Sequence, residues 1–203
     1  MNEYIDLFIH KRGIEMDKKN ELLAAAREVF AEKGYKAAGI SDIAKKSRMA
    51  VGSFYKYYES KEAIFLEVYV AENSRIREGI IQRVDWQGEP ETIVEQLFAV
   101  TFELISPNKI LAEWNKPGIS QILHDYYNQD SGRASNAFYQ FLIQTFSQRL
   151  QEEGFSEEKI AEIMKVYDLI YYIDMHVTEQ DFSGYFDSLE TLVKYFVKGI
   201  FSK

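Results

Sequence analysis

The sequence predicts an all-α fold of about nine or ten helices, and three observations predict it. Apolar residues recur every three or four positions along almost the whole chain, the period of a helix with one buried face. No stretch keeps the alternation that a half-buried strand requires. The three prolines, Pro90, Pro107 and Pro117, fall between periodic segments and interrupt none of them.

Each element follows from its own spacing. Leu22, Leu23, Ala26, Val29 and Phe30 form one apolar face that stops at Gly34, a suitable helix terminator. Two short helical pieces follow, 40–47 and 51–57, separated by Arg48-Met49-Ala50. Phe65, Val68, Tyr69, Ile76 and Ile80 stripe a long fourth helix over 61–83, and Gly88 with Pro90 marks the next turn. Ile93, Leu97, Val100 and Leu104 continue the pattern to Pro107, after which 106–118 reads as short, broken helices. Phe138, Leu142, Phe146 and Leu150 share a face before Gly154. The last two helices, 157–178 and 184–202, carry Ile160, Ile163, Tyr167 and Ile170, then Phe186, Leu189, Val193, Phe196 and Ile200. There is no internal repeat.

Composition bounds the function. With 203 residues, 46% hydrophobic and 28% charged, the chain can build a sizeable core. No apolar run approaches the ~18 residues of a membrane span, so no membrane partner is expected. The absence of cysteine excludes disulfides and thiolate metal sites, and the reducing cytoplasm is the expected location. The net charge of −8 is unevenly spread. Residues 1–70 hold 12 basic against 11 acidic side chains, whereas 71–203 hold 12 against 21. Within 33–61, seven basic residues face only Asp42 and Glu59, which makes a small basic module on an acidic body.

That module contains the two short helices. Ile43, Ala44 and Phe54 supply the apolar contacts of two crossed helices, a geometry that lets the second enter a DNA major groove while the first braces it over the backbone. Basic residues sit where phosphate neutralisation needs them. Residues 20–70 resemble the DNA-binding domain of the TetR (tetracycline repressor-like) family. The marks are Phe30-x-x-x-Gly34-Tyr35, then Ile43-Ala44, then Gly52-Ser53-Phe54-Tyr55, an aromatic at Tyr58, and Ser60-Lys61-Glu62. Three positions depart from the family pattern: Gly39 and Ala50 replace hydroxyl N-caps, and Arg48 replaces a turn glycine at a cost of about 1 kcal/mol if φ is positive.

The resemblance implies a three-helix DNA-binding domain over 17–62, an N-terminal extension over 1–16, and a helical ligand-binding and dimerisation domain over 63–203 joined to it by the long fourth helix. It implies phosphate contacts from Tyr55, Tyr57 and Lys61, with Lys45, Lys46 and Lys56 as electrostatic contributors or a plain solvated face. Base reading would fall to Val51 and Ser53 with Arg48, since valine can meet a thymine methyl and arginine can take guanine bidentately. Gly52 would let the backbone come close to the duplex. The partners implied are double-stranded operator DNA, a second copy of the chain and a small-molecule effector, with no cofactor and no metal. Phe102, Trp114, His124, Tyr127, Phe138, Phe141, Tyr171 and Tyr172 are candidates to line an effector pocket, with Glu103, Asn136, Asp174 and His176 as polar groups, against the alternative of ordinary core or surface positions. Ile163, Tyr167, Ile170, Leu189, Val193, Phe196 and Ile200 are candidates for the dimer face, against an intramolecular core. Residues 1–16 read as an extra amphipathic turn, a DNA-contacting arm, or a stretch upstream of an initiator at Met16.

The rival class is an enzyme, and its chemistry is not written here. There is no Gly-x-Gly pair, P-loop, G-x-S-x-G elbow or H-E-x-x-H, and none of His10, His124 and His176 stands three residues after a glutamate. The expected function is therefore a non-enzymatic, sequence-specific transcriptional regulator, a repressor by analogy, released by a mainly hydrophobic or aromatic effector. The alternative is a helical ligand-binding or scaffold protein that has lost operator binding.

Overall fold

The computed structural model describes residues 2–116, 118–128 and 136–202, the side chains of 2–15, 115 and 128 excepted. Among the described residues are α1 (Asn2–Ala37), α2 (Ile40–Lys46), α3 (Val51–Phe54), α4 (Lys61–Arg83), α5 (Pro90–Ile105), a 3-10 turn (Leu111–Asn115), α6 (Ser120–Asn128), α7 (Ala137–Glu152), α8 (Glu157–His176) and α9 (Tyr185–Phe201). No strand occurs among them, so the all-α expectation holds.

Local chemistry places the ends. Pro90 opens α5, where its missing N–H and fixed φ are harmless. Asn136 and Ser156 cap α7 and α8 by accepting from the backbone N–H of Tyr139 and Lys159. Glu157 and Glu158 in the first turn and His176 in the last turn of α8 suit its dipole. α4 has the expected bounds, while α3 is shorter than expected. After Phe54 its ladder tightens, with the N–H of Lys56 donating to Ser53 and that of Tyr57 to Phe54, each a three-residue bond. At the other end, helix continues from Asn2 into α1, so the expected 1–16 extension is not set apart by a break; its apolar residues Tyr4 to Ile9 lie outside the described side chains.

The described chain divides into two compact units, Met1–Asn73 with Pro107–Leu123, and Ser74–Ser106 with His124–Lys203. These are not the divisions read from sequence. α4 contributes its residues up to Asn73 to the first unit, and a segment more than thirty residues further on, Pro107–Leu123, joins it there. In the first unit Leu22, Ala26 and Phe30 of α1, Ile43 and Ala44 of α2, Phe54 of α3 and Ile64, Phe65 and Val68 of α4 are fully enclosed. Phe30 meets Phe65 edge-on at 4.9 Å, a favoured arrangement for aromatic rings.

In the second unit the core of α5 and α9 is Val94, Phe98, Leu189 and Val197, with Ile170, Val193 and Phe196 packed against it. Ile163 is also buried, and Tyr167 lies against Tyr139 and Phe146. Of the residues expected at a dimer face, Ile163 and Leu189 are buried, and Tyr167, Ile170, Val193 and Phe196 are half-buried against other helices of the same chain. Ile200 is half-buried. The apolar side chains that α8 and α9 leave exposed are others: Val166, Leu169 and Tyr172, and Leu192 and Tyr195.

Candidate nucleic-acid interface

The first unit builds a helix-turn-helix from α2, the turn 47–50 and α3. Gly39 is the N-cap of α2 and offers no side chain; the Asp42 carboxylate instead accepts from the Gly39 N–H at 3.0 Å. That carboxyl is held below its usual range by its bond to Lys33, with the Gly39 bond adding to it. α2 ends in a Schellman arrangement, in which the Met49 N–H donates to Ala44 and the Arg48 N–H to Lys45. The left-handed residue of that motif is Arg48, at φ 56, the one non-glycine with positive φ among the described residues. The chain thus carries an arginine where glycine is the unstrained choice. Arg48→Gly is expected to raise unfolding free energy by about 1 kcal/mol while weakening DNA binding, as denaturant melts and a duplex titration would show. A loss of stability would mean that the guanidinium holds the turn.

α3 follows without a side-chain cap, because Ala50 occupies that position. Its side chains divide sharply. Phe54 is fully buried, and Tyr58 lies beside it at 5.9 Å between ring centroids. Val51 and Tyr55 are exposed, at 45% and 57%. Gly52 has nothing within 4 Å of where a Cβ would stand, so packing inside the chain does not require glycine there.

A cleft of about 760 Å³ opens between α1 and this turn. It brings Lys46, Arg48, Ser53, Lys56 and Tyr57 onto one concave surface, together with Lys18, Glu21 and Glu28 of α1. Lys45 is exposed on α2. Two of the expected cations are already engaged. Lys46 pairs with Glu28 at 2.6 Å, which lowers the Glu28 pKa and raises that of the lysine. Lys61 departs further from its expected role. Its ammonium donates to the carbonyls of Tyr35 and Ala38, each at 3.0 Å, and sits 4.2 Å from the centre of the Tyr35 ring. It closes the carbonyl end of α1, where a cation is favoured, instead of facing outward. Sequence reading missed Glu28, since a carboxylate one helix away from its lysine leaves no local signal.

The expected effector residues fall in both units. Trp114 belongs to the first unit, stacked on Tyr69 at 6.3 Å. In the second unit Phe102 is 59% exposed and lies by Phe186, Phe141 meets Trp86 edge-on, and Phe138 lies under Arg77. Tyr127 meets Tyr126 edge-on, His124 is half-buried, and Tyr172 is exposed and stacked on His176. Tyr171 lies 4.2 Å from Tyr139 and its hydroxyl accepts from the Asn136 amide. Of the polar candidates, Glu103 pairs with Arg83, Asn136 caps α7, Asp174 accepts from Tyr185 and His176 bonds the Tyr172 carbonyl.

Comparison with known proteins bears on the first unit above all. A family model described as bacterial regulatory proteins, tetR family, matches residues 22–68. The HTH-type transcriptional regulator YdgC of Bacillus subtilis is 42% identical over 66 residues, which cover 32% of this chain and 33% of that protein. The HTH-type transcriptional regulator QacR of Staphylococcus aureus is 28% identical over 119 residues, 57% of this chain and 59% of that protein. The matched stretches thus span less than two thirds of these relatives. In fold, the chain resembles a TetR-like transcriptional regulator from Rhodococcus sp. RHA1, with a TM-score of 0.51 over 92% of this chain and 97% of the other at 17% identity. Over residues 22–68, which take in α2, α3 and the adjoining parts of α1 and α4, the chain is thus similar to the bacterial tetR regulators.

Proposed function

We propose that the chain is a sequence-specific transcriptional regulator that binds double-stranded operator DNA as a homodimer in the cytoplasm, acts as a repressor, and is released by a small hydrophobic or aromatic effector. The observation that carries the reading is the α2–turn–α3 surface. It presents Lys45, Arg48, Val51, Ser53, Tyr55 and Lys56 beside the buried Ile43, Ala44 and Phe54, on a segment that matches the family model. Cations and hydroxyls there suit phosphate, and the start of α3 suits base edges. The test is a fluorescence-anisotropy titration against duplex fragments at two salt concentrations. Tight binding to one fragment, falling steeply with salt, supports the reading. Absence of binding at either salt favours a ligand-binding protein without operator recognition, the outcome that uncapped α3 and strained Arg48 would explain.

Dimerisation is supported by the apolar residues that α8 and α9 leave exposed, Leu169 at 57% and Tyr195 at 71%. They stand at helical spacing from Val166 and Leu192 respectively, which makes two unpartnered stripes. Leu169→Glu combined with Tyr195→Glu is expected to give a folded monomer by analytical ultracentrifugation and to weaken binding to a two-half-site duplex. Leu189→Glu, in the core, is expected to unfold the second unit instead. A double variant that stays dimeric would place the interface elsewhere. For the effector, support rests on the aromatic group of Tyr139, Tyr167 and Tyr171, with the Tyr139 hydroxyl donating to Asp168 at 2.6 Å.

A further inference from the structure

Two glutamates in the first unit are almost wholly enclosed, Glu72 at 3% and Glu113 at 4% exposure. A buried carboxylate is costly unless it is hydrogen-bonded, so what each one holds indicates what it is for. Glu72 accepts from the Arg27 guanidinium at 2.7 Å and from the Asn108 amide at 2.8 Å, which fastens the start of the 107–123 segment to α1 and α4. Glu113 does something more directed. Its Oε1 accepts the backbone N–H of Tyr35, 78 residues away, at 3.1 Å, and Lys116 donates to the same oxygen at 3.1 Å.

Tyr35 follows Gly34, where the long α1 breaks at φ 74 and ψ 172 before the chain turns into α2. A Cβ at Gly34 would stand 3.2 Å from Glu113 Oε1, so glycine there serves both the positive φ and the close approach of this carboxylate. The rest of the elbow is held from α4. Lys61 takes the Tyr35 carbonyl, Glu62 accepts from the Tyr35 hydroxyl at 2.5 Å, and Phe65 meets its ring at 4.9 Å. Burial, and then the bond to Glu62, push the Tyr35 hydroxyl pKa upward. The Tyr35 N–H is secured from outside α1–α4, as is the nearby Glu32 carbonyl, which accepts from Lys109 at 2.6 Å, and Tyr35 lies five residues before the first residue of α2.

We propose that Glu113 is a positioning residue for DNA recognition: its carboxylate fixes the Gly34–Tyr35 elbow and thereby the direction in which α2 and α3 leave α1. The DNA-reading module is then completed by a residue about sixty positions beyond the end of α3, and residues 22–68 alone lack it. The inference rests on the proposed DNA binding. Its consequence is specific. Removing Glu113 takes no cation from the surface, so salt-driven attraction to any duplex stays, while the fit to one sequence is lost.

The test uses the full chain and a duplex enriched by the wild-type protein from a random-sequence pool, with an unselected duplex as reference. Glu113→Ala and Glu113→Gln are each titrated by anisotropy, and hydrogen exchange is followed at the Tyr35 amide. For Glu113→Ala the expected result is a loss on the order of tenfold on the selected duplex. Binding to the unselected duplex should stay within about twofold, and exchange at Tyr35 should be faster. Glu113→Gln, which keeps an acceptor oxygen without the charge, should fall between wild type and alanine and keeps the test open if the alanine variant does not fold. Folded variants with unchanged selectivity would overturn the proposal, as would unchanged exchange at Tyr35. Equal losses on both duplexes would also overturn it and leave Glu113 a stability residue. If the wild-type chain enriches no duplex, the DNA-binding reading fails by itself, and the Tyr35 exchange still decides whether Glu113 holds the elbow.

Discussion

Phe65→Ala is expected to destabilise the protein by about 3–5 kcal/mol, a large share of the ~5–15 kcal/mol typical of a folded domain. Phe65 is fully buried and meets Phe30, Tyr35 and Tyr69 at 4.9, 4.9 and 6.1 Å between ring centroids. The first two are contacts of α4 with α1 and its elbow, so truncation opens a cavity where α4 packs against α1. The measurement is the urea midpoint at unchanged slope. Phe102→Ala is the control, because a side chain 59% exposed leaves little cavity behind. A shift of less than about 1 kcal/mol for Phe65→Ala would mean that this aromatic cluster is not what holds the helix-turn-helix on its support.

Val51→Asp should leave stability within about 0.5 kcal/mol and still abolish most sequence-specific DNA binding. Val51 is exposed, at the first position of α3, where a carboxylate is tolerated by the helix dipole. In a major groove the same carboxylate meets base-edge acceptors and flanking phosphates. Loss of the thymine-methyl contact with this repulsion is expected to lower affinity by about 10- to 100-fold, equal to about 1–3 kcal/mol. Anisotropy at fixed salt checks it. Unchanged affinity would show that the start of α3 does not enter the groove, and the assignment of Ser53 and Gly52 would fall with it.

How the candidate site came to be legible differs from residue to residue. Phe54 reads as a packing residue and Tyr55 as an outward contact, and Phe54 is fully buried while Tyr55 is exposed. The strained turn at Arg48 was also legible, because a Schellman end sets backbone conformation within a few neighbouring residues. Lys61 was not. Its charge suggests a phosphate, but two carbonyls at the end of α1 reach it first, a competition that depends on how α4 crosses α1. Lys46 is similar, since Glu28 reaches it from another helix. The stripes of α8 and α9 show that those helices bury one face and do not say what buries it. Ile170 and Val193 are taken by the protomer's own α5–α9 core, whereas Leu169 and Tyr195 stay exposed.

The sequence by itself determined the helices, their caps and breaks, and the basic helix-turn-helix, because these depend on periodicity, capping groups and backbone preferences over a few residues. Only the tertiary structure decided which charges are paired within the protein, which apolar side chains stay exposed, and that Glu113 reaches back to the Tyr35 amide. The physical reason is range. A hydrogen bond between residues 78 apart leaves no periodic trace, and a buried carboxylate is spelled with the same glutamate as a solvated one.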